Sequence, residues 1–209
     1  MKHEHEPGHS FGNAETWAKE FDNPARDVWQ KPDEILDALM LPPTARVADI
    51  GSGTGYFSVR IANRVPDGKV FAVDIAANFL KHIDKTCQEA GIKNVETVLC
   101  DQFSTKLPKN SVDLVFICDT YHHFEFPDRT LSSIHDALRP GGQIVLIDFE
   151  RIEGKSSAFV LYHVRAGKEV FVAEIKAAGF KVLGEEKLLK ENYLVRFEKV
   201  VDKNNAKPK

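Results

Sequence analysis

The sequence predicts an α/β protein built on a doubly wound, mostly parallel sheet, and two observations carry this prediction. Short runs that are apolar almost throughout alternate with segments whose apolar residues recur at helical spacing. This alternation is typical of a parallel sheet whose two faces are covered by helices. Near the carboxyl end, two strand-like runs follow each other without a helix between them, which indicates an antiparallel pair. We therefore expect the sheet to end in a β-hairpin.

The amino-terminal half of the pattern contains two strand candidates, each followed by a helix candidate. Residues 45–51 are mostly apolar and end in glycine, and residues 56–65 follow with apolar side chains at helical spacing. Residues 69–75 form the second strand candidate, and residues 78–90 form a helix candidate with one apolar face. This order predicts a β-α-β-α unit.

The carboxyl-terminal half adds five strand candidates and one helix candidate. The strand candidates, which Gly, Pro or Asn residues separate, cover residues 94–100, 112–118, 143–149, 180–189 and 192–200. The helix candidate at 127–138 is followed by Arg-Pro-Gly-Gly at 139–142, and we expect the proline and glycines to end it.

The composition argues against two classes of partner. The chain of 209 residues has 28 Lys plus Arg against 31 Asp plus Glu, a formal net charge of -3. Its few clustered lysines lie in the polar tail, so we expect no electrostatic grip on nucleic acid. No stretch approaches the roughly 18–20 apolar residues that a membrane-spanning helix needs. We therefore expect neither a nucleic-acid nor a membrane partner.

The cysteines predict a reducing compartment. Cys87, Cys100 and Cys118 form no CxxC pair, and an odd number cannot all be bridged within one chain. The first residues lack the apolar run of a secretory signal, so we expect a cytoplasmic protein, although a mature form that had lost its signal would look the same. Three histidines at positions 3, 5 and 9 indicate a disordered polar start, or else a loose metal-binding tract.

The most informative motif is Val-Ala-Asp-Ile-Gly-Ser-Gly-Thr-Gly at residues 47–55. A strand leads into a glycine turn that opens a helix, so the backbone at Gly51, Gly53 and Gly55 can approach a ligand closely. Asp74, about 20 residues further on, ends the next strand at the distance where an acid meets a ribose diol. Tyr56 stands where a dinucleotide fingerprint needs its third glycine, which argues against a nicotinamide cofactor and favours a nucleoside ligand without phosphates.

The chain resembles the class I S-adenosylmethionine-dependent methyltransferases of the small-molecule type, with a domain like methyltransferase families 11 and 25. The resemblance rests on the glycine motif, on Asp74 and Asp101 after successive strands, on Leu-Arg-Pro-Gly-Gly at 138–142, and on the terminal hairpin. It covers residues 45–200. It implies a Rossmann-like fold whose sheet has seven strands, the last antiparallel.

The resemblance also implies S-adenosyl-L-methionine as cofactor, S-adenosyl-L-homocysteine as product, and a set of cofactor-binding residues. Asp49 would hold the amino end, Asp74 would accept both ribose hydroxyls, and Asp101 would accept the adenine amine. The alternative for Asp101 is a helix N-cap. The implied cofactor residues are Asp49, Gly51, Ser52, Gly53, Gly55, Asp74, Ile75, Asp101, Gln102, Phe103 and Asp119.

By the same resemblance, the end of the fourth strand lies beneath the transferable methyl group. Asp119, Tyr121, His122 and His123 are therefore the candidates for contact with the acceptor. A histidine there could remove a proton from a hydroxyl or thiol, because its pKa lies near working pH. The alternatives are that the histidines orient a hydrogen-bond network or line the pocket.

Asp119 and Asp148 end neighbouring strands and could share a cation. Metal-dependent catechol-type methyltransferases use carboxylates at such places. This sequence has Asp148-Phe149 where those enzymes show an Asp-Asn pair. We therefore expect no metal ion.

Two flanking segments are candidates for covering the acceptor. Residues 11–32 carry Trp17 and Trp29, which a cap over the cleft would bury, although packing against the outer helices explains them equally well. Residues 156–168 follow the fifth strand, and His163 and Arg165 there could select an anionic or polar acceptor. A plain solvated helix end is the alternative.

These observations divide the chain into four parts. We expect a disordered, His-rich start at residues 1–10, a helical cap at 11–44, the methyltransferase domain at 45–200 and a flexible basic tail at 201–209. Because no room remains for a separate substrate domain, the acceptor should be small.

Methyl transfer to an oxygen, nitrogen, sulfur or carbon atom of a small molecule is the leading hypothesis, in a monomer or homodimer. The first alternative is a binding module that keeps the cofactor pocket without transfer. An RNA or protein methyltransferase is the next alternative. The net charge and the absence of an Asn/Asp-Pro-Pro-Tyr/Phe motif argue against a nucleic-acid substrate. A nicotinamide oxidoreductase comes last.

Overall fold

The computed structural model describes residues 23–200, and a single sheet of seven strands runs through them. The strands are β1 Arg46–Ile50, β2 Lys69–Asp74, β3 Val95–Leu99, β4 Val112–Cys118, β5 Leu138–Phe149, β6 Phe180–Glu186 and β7 Asn192–Lys199. Their order is β3-β2-β1-β4-β5-β7-β6. The first five are parallel, whereas β7 runs antiparallel to both β5 and β6. The predicted sheet and its terminal hairpin are confirmed.

Seven α-helices and one 3₁₀ turn connect or precede these strands in residues 23–200. The helices are α1 Ala25–Gln30, α2 Pro32–Ala38, α3 Tyr56–Arg64, α4 Ala77–Ala90, α5 Pro127–Ala137, α6 Ala158–His163 and α7 Lys168–Ala177, and the 3₁₀ turn is Tyr121–His123. Over the same range, no helix combines the length and the apolar character that crossing a bilayer requires.

Both faces of the central strands are buried, which explains why these strands are apolar almost throughout, whereas the edge strands β3 and β6 are mostly half-buried or exposed. Val115 and Ile117 of β4 belong to one apolar cluster, whereas Leu114 and Phe116 belong to the cluster on the other face. Successive strand residues point to opposite faces, so a strand covered on both sides must be apolar at every position.

Two element bounds differ from the prediction by three residues or more. Residues 138–142, expected only to end a helix, form the start of β5, and the preceding helix ends at Ala137. The pairing of β5 with β4 shifts between Val112 and Leu114, and Gly141 has φ +75°, so an irregular strand start accommodates the proline and the two glycines. Strand β6 ends at Glu186, three residues before the predicted bound.

The amino-terminal segment is described only from residue 23. The histidine-rich start, the basic tail and Trp17 lie outside the described residues. Residues 23–44 contain α1 and α2, in agreement with their predicted helical character. The Trp29 side chain is 52% exposed, so the expectation that a cap buries it is wrong.

Candidate active site

The glycine loop between β1 and α3 lies against the end of β4. Gly51, Gly53 and Gly55 all have positive φ, at +73°, +52° and +90°. A Cβ on Gly51 would lie 2.8 Å from the Cβ of Thr120, the residue that follows Asp119. Glycine is therefore required at position 51 for two reasons, its left-handed backbone and the close approach of β4.

Asp74, at the end of β2, ties the glycine loop to the sheet. Its Oδ2 accepts a hydrogen bond from the amide of Gly53 at 2.8 Å, and its Oδ1 accepts one from the amide of Ala76 at 2.8 Å. The carboxylate is nearly buried, and this burial raises its pKa. Each carboxylate oxygen has two lone pairs, so Asp74 keeps acceptor capacity for a diol. Among the described residues, no heavy atom lies within 4 Å of the Cβ position of Gly53, which leaves open space over the loop.

Two carboxylates, the buried Asp49 and the half-buried Asp119, lie at the ends of β1 and β4. Burial raises the pKa of Asp49 to about 6, although the Ser58 hydroxyl donates a hydrogen bond to it at 2.6 Å. Burial, and secondarily the charge of Asp148, raises the pKa of Asp119 to about 6. The raised pKa values mean that ionisation of these two carboxyls is less favourable than in water. A bound cationic group would favour their ionised forms, so the pair is suited to such a ligand.

The backbone of Asp119 supports a functional assignment. Asp119 has φ +52°, a left-handed conformation that non-glycine residues adopt at an energetic cost. The Asn192 side chain holds the carboxylate by donating a hydrogen bond to Oδ1 at 2.6 Å. This partner, from β7 at the far end of the chain, was not anticipated from the sequence.

Asp101 caps its own turn. Its Oδ1 accepts hydrogen bonds from the amides of Phe103 and Ser104, both at 2.9 Å, and its Oδ2 pairs with Lys106 at 2.7 Å. The lysine ion pair, followed by the amide of Phe103, lowers the pKa of this carboxyl. The alternative of a helix N-cap is wrong, because the residues between β3 and β4, all of which the structure describes, contain no helix. The predicted contact with adenine stays a prediction.

The other residues expected around adenine differ in what they offer. Ile75, directly after β2, is 55% exposed and leaves an apolar side chain beside the glycine loop. Gln102 is exposed, with its backbone carbonyl accepting a hydrogen bond from Thr130 at 3.1 Å. The ring of Phe103 packs on Phe126 at 4.7 Å between ring centroids. Ile75 is therefore the side chain most available to a flat ligand.

The fold brings three histidines together at the ends of β4 and α6. The ring centroids of His122 and His123 are 4.1 Å apart, and that of His163 lies 5.1 Å and 4.9 Å from them. One ring nitrogen from each histidine lies within 4.8 Å of the others. His163, predicted only as part of a separate loop, thus joins the two histidines predicted at the end of the fourth strand.

Asp148 holds His122 in place. The buried His122 ring pairs through Nδ1 with Oδ1 of the fully buried Asp148 at 2.8 Å, and the His122 amide donates to Oδ2 at 3.1 Å. The sequence suggested Asp148 only as a metal ligand. The sequence did contain a signal for the pairing with His122. Asp148 lies at the end of β5, the strand beside β4, and the carboxyl ends of neighbouring parallel strands meet at one edge of the sheet.

Tyr121 and Arg165, both predicted as acceptor contacts, form a hydrogen-bonded network with Glu174 of α7. The Tyr121 side chain is fully buried in the core, and its hydroxyl donates to Glu174 Oε2 at 2.8 Å. The guanidinium of Arg165 donates to both carboxylate oxygens of Glu174, at 2.8 Å and 2.7 Å. Burial raises the pKa of the Tyr121 hydroxyl far above its ordinary value. The assignment of the buried Tyr121 to acceptor contact is therefore corrected, whereas that of the exposed Arg165 stays a prediction.

Helix α1 docks beside the glycine loop. The fully buried Gln30 donates from Nε2 to the Cys118 thiol at 3.3 Å. The Arg26 guanidinium lies 4.1 Å from the ring centroid of Tyr56, the first residue of α3. Its positive charge also lowers the pKa values of Asp49 and Asp119, although burial outweighs it. The amino-terminal segment thus contributes a positive charge near Asp49 and Asp119, the two carboxyls whose pKa values are raised.

Part of the chain is similar to a known family and to curated proteins. Residues 47–142 match the family described as a methyltransferase domain. The chain is 33% identical over 108 residues to a malonyl-acyl-carrier-protein O-methyltransferase of Methylococcus capsulatus, an alignment covering 52% of this chain and 38% of the relative. It is 27% identical over 179 residues to a phosphoethanolamine N-methyltransferase of Triticum aestivum, covering 83% and 34%. The chain thus spans little more than a third of either relative.

The fold has close structural neighbours. An S-adenosylmethionine-dependent methyltransferase from Aquifex aeolicus superposes with a TM-score of 0.81 and 23% identity, over 88% of this chain and 98% of that one. At this identity the likeness concerns the fold, which is that of the Rossmann-like sheet described above.

Proposed function

We propose that the chain contains a class I S-adenosylmethionine-dependent methyltransferase domain and that it transfers the methyl group of that cofactor to a small-molecule nucleophile. The observation that carries the proposal is the meeting of three carboxylates with the glycine loop at one sheet edge. Asp49, Asp74 and Asp119 end β1, β2 and β4, and the open space over Gly53 lies among them. Binding sites of open α/β sheets lie at this edge.

The residues present fit the chemical groups of S-adenosylmethionine. Asp49 and Asp119 would hold the cationic amino group, because a nearby positive charge favours the ionised forms of carboxyls whose pKa values are raised to about 6. Asp74 would accept the ribose hydroxyls, and Ile75 would cover one adenine face. When bound, the cofactor supplies a methyl group that its positive sulfur already activates.

The chain's own contribution is to align the acceptor and to exclude water. The 3₁₀ turn Tyr121–His123 directly follows the strand end that contacts Gly51, so an acceptor beside this turn faces the glycine loop. Alignment of two bound reactants can lower a barrier by about 7–11 kcal/mol, so a dedicated triad is not required. The two relatives are named for an acyl-carrier-protein substrate and for phosphoethanolamine, which supports a small or carrier-bound acceptor.

Binding and transfer should be measured separately. We expect isothermal titration to show S-adenosylmethionine binding by the full chain and a loss of at least about tenfold in affinity in Asp74→Ala. Asp84→Ala is the matched control, since Asp84 is an exposed residue of α4 whose carboxylate accepts a hydrogen bond from the Thr97 hydroxyl of β3. Absence of binding by the intact chain would overturn the cofactor assignment.

Transfer should then be followed with methyl-labelled cofactor on a panel of thiols, phenols, amines and carboxylic acids, with total RNA as a further substrate. Label on a small molecule supports the proposal. Binding without transfer to any member would identify a non-catalytic module. Label on RNA alone would show that the acceptor class is wrong.

A further inference from the structure

We infer that His122, His123 and His163 form a binding site for a divalent transition-metal ion of the zinc class, open on one side to the acceptor. Imidazole is a favoured ligand of zinc, copper, nickel and iron, whereas magnesium and calcium prefer oxygen. The site therefore differs in its ligands and its preferred ion from the carboxylate pair Asp119 and Asp148. The metal site is independent of the proposed methyl transfer, but its role toward the acceptor rests on that function.

The spacing of the three nitrogens suits one ion. They lie within 4.8 Å of one another, and zinc with Zn–N bonds of about 2.1 Å separates tetrahedral ligands by roughly 3.4 Å. His123 is exposed and His163 partly exposed, so modest rotation of these two rings can close the difference. His122, which is buried, provides the fixed position around which they adjust.

His122 is already arranged as a metal ligand. Its Nδ1 is bound to the buried Asp148, so the nitrogen that remains for the cluster is Nε2. This Nε2 is buried and has no hydrogen-bond partner among residues 23–200. A buried polar atom without a partner is costly and calls for an explanation. A carboxylate on the far nitrogen is the usual support of a metal-bound histidine, because it fixes the tautomer and directs the lone pair to the ion.

The position of the cluster relates it to the acceptor. His122 and His123 follow Asp119 and Thr120, and Thr120 packs on Gly51 of the cofactor loop. Three histidines leave the fourth tetrahedral position of a zinc ion open, as in catalytic rather than structural zinc sites. A hydroxyl or thiol coordinated there would face the cofactor cleft. We therefore assign the acceptor to the class of molecules that offer an oxygen or sulfur ligand.

Coordination would make that atom a better nucleophile. The ion lowers the pKa of the coordinated hydroxyl or thiol, so its proton is released to solvent. A lone pair of the resulting anion forms the new bond to the methyl carbon. The bond between that carbon and the sulfonium breaks, and its electron pair stays on the sulfur as a neutral thioether. No oxidant or further reactant is needed.

Metal binding should be measured first and without cofactor. The full chain carries histidines at positions 3, 5 and 9, so the reference protein should have all three changed to Ala. Equilibrium dialysis against zinc chloride in a non-chelating buffer should give one zinc per reference chain. His163→Ala and His123→Ala should each lower the zinc affinity at least about tenfold. His82→Ala, on α4 away from the cluster, should leave it unchanged.

Cobalt binding, measured together with thermal unfolding, distinguishes the loss of a metal ligand from misfolding of the variant. Co²⁺ bound by the reference chain should give the visible absorption of a tetrahedral site, and His163→Ala should lose it while its cooperative thermal unfolding persists. Failure of the reference chain to bind zinc, or equal zinc affinity in His163→Ala and His82→Ala, would overturn the metal site.

The role in transfer is tested after chelation of the reference chain. We expect S-adenosylmethionine affinity to stay within about twofold, and methyl transfer to fall and return on addition of zinc. Transfer that is unaffected by chelation would overturn the activation role. Absence of cofactor binding would overturn the proposed function instead, and the dialysis result would still decide the metal site.

Discussion

The two halves of the sheet edge are built in different ways. The glycine-loop half is contiguous in sequence, since residues 51–55 and Asp74 bind each other across one strand and one helix. The histidine half joins His122 after β4, Asp148 at the end of β5, and His163 at the end of α6. Local backbone geometry fixes the first half, whereas the register of neighbouring strands fixes the second.

The register between β4 and β5 shows how the second half forms. Cys118 pairs with Ile147, and the amide of Asp119 donates to the Ile147 carbonyl at 2.9 Å. Asp148 is the next residue of β5, so it reaches the turn that carries His122. A slip of one residue would turn Asp148 to the opposite face of the sheet.

The largest effect should come from forcing the glycine loop off the end of β4. Gly51→Ala places a Cβ 2.8 Å from the Cβ of Thr120, which no rotation of the threonine relieves, and adds backbone strain at φ +73°. We expect a loss of about 3 kcal/mol or more in the free energy of unfolding, measured by urea denaturation. Gly53→Ala, with open space and φ +52°, should cost only about 1 kcal/mol. Equal losses would contradict the close packing of the two halves.

The second-largest effect should distinguish the function of the histidine half from that of the glycine-loop half. Asp148→Asn removes the charge that orients His122, so methyl transfer and zinc affinity should each fall by about 10–100-fold. S-adenosylmethionine affinity, measured by titration, should change less than about threefold, because the Asp148 carboxylate accepts its hydrogen bonds from His122 and from the Phe149 amide rather than from the glycine loop. Asp113→Asn, near the amino end of β4, is the control for a lost carboxylate. A parallel loss of cofactor affinity in Asp148→Asn would show that the halves act as one.

A smaller effect should follow pH. A carboxyl with a raised pKa contributes stability that is fully present below its unfolded pKa of about 4 and is lost as pH rises through its folded value. For Asp49 and Asp119 that value is about 6. A cation that binds the ionised forms should therefore bind more tightly as pH rises.

We expect S-adenosylmethionine affinity to increase about tenfold or more between pH 5 and pH 7, as measured by titration. Asp119→Asn should make this dependence shallower, while Asp84→Asn should not. A pH-independent affinity in the intact chain would contradict the assignment of the two carboxylates to the cationic group.

The smallest effect should come from the network behind the histidines. Glu174→Gln weakens the pair with Arg165 and the bond from Tyr121, both partly exposed to solvent screening, so we expect about 1 kcal/mol lost on unfolding. Cofactor and zinc affinities should stay unchanged. Glu169→Gln, exposed on the same helix, is the control. A large change in zinc affinity would show that this network positions His163.

The sequence was informative where chemistry and local geometry coincide. Apolar runs, glycines and the terminal pair of strands determined the layers and the hairpin, because covering both sheet faces leaves no polar alternative. The motif at 47–55 and Asp74 likewise indicated the sheet edge at which we propose that the cofactor binds. The start of β5 was misjudged, since proline and glycines permit an irregular strand as well as a helix end.

Tertiary structure decided which polar side chains face the cleft. Tyr121, His122 and His123 are consecutive, yet the 3₁₀ turn sends Tyr121 into the core and leaves His123 exposed. His163 reaches them from the end of α6, a separate element that follows β5. Sequence alone thus determined the fold and the proposed ligand-binding edge of this protein, through short-range backbone requirements. The partnership of Asp148 and the three histidines depends on strand register and helix packing, which bring together residues that no local pattern connects.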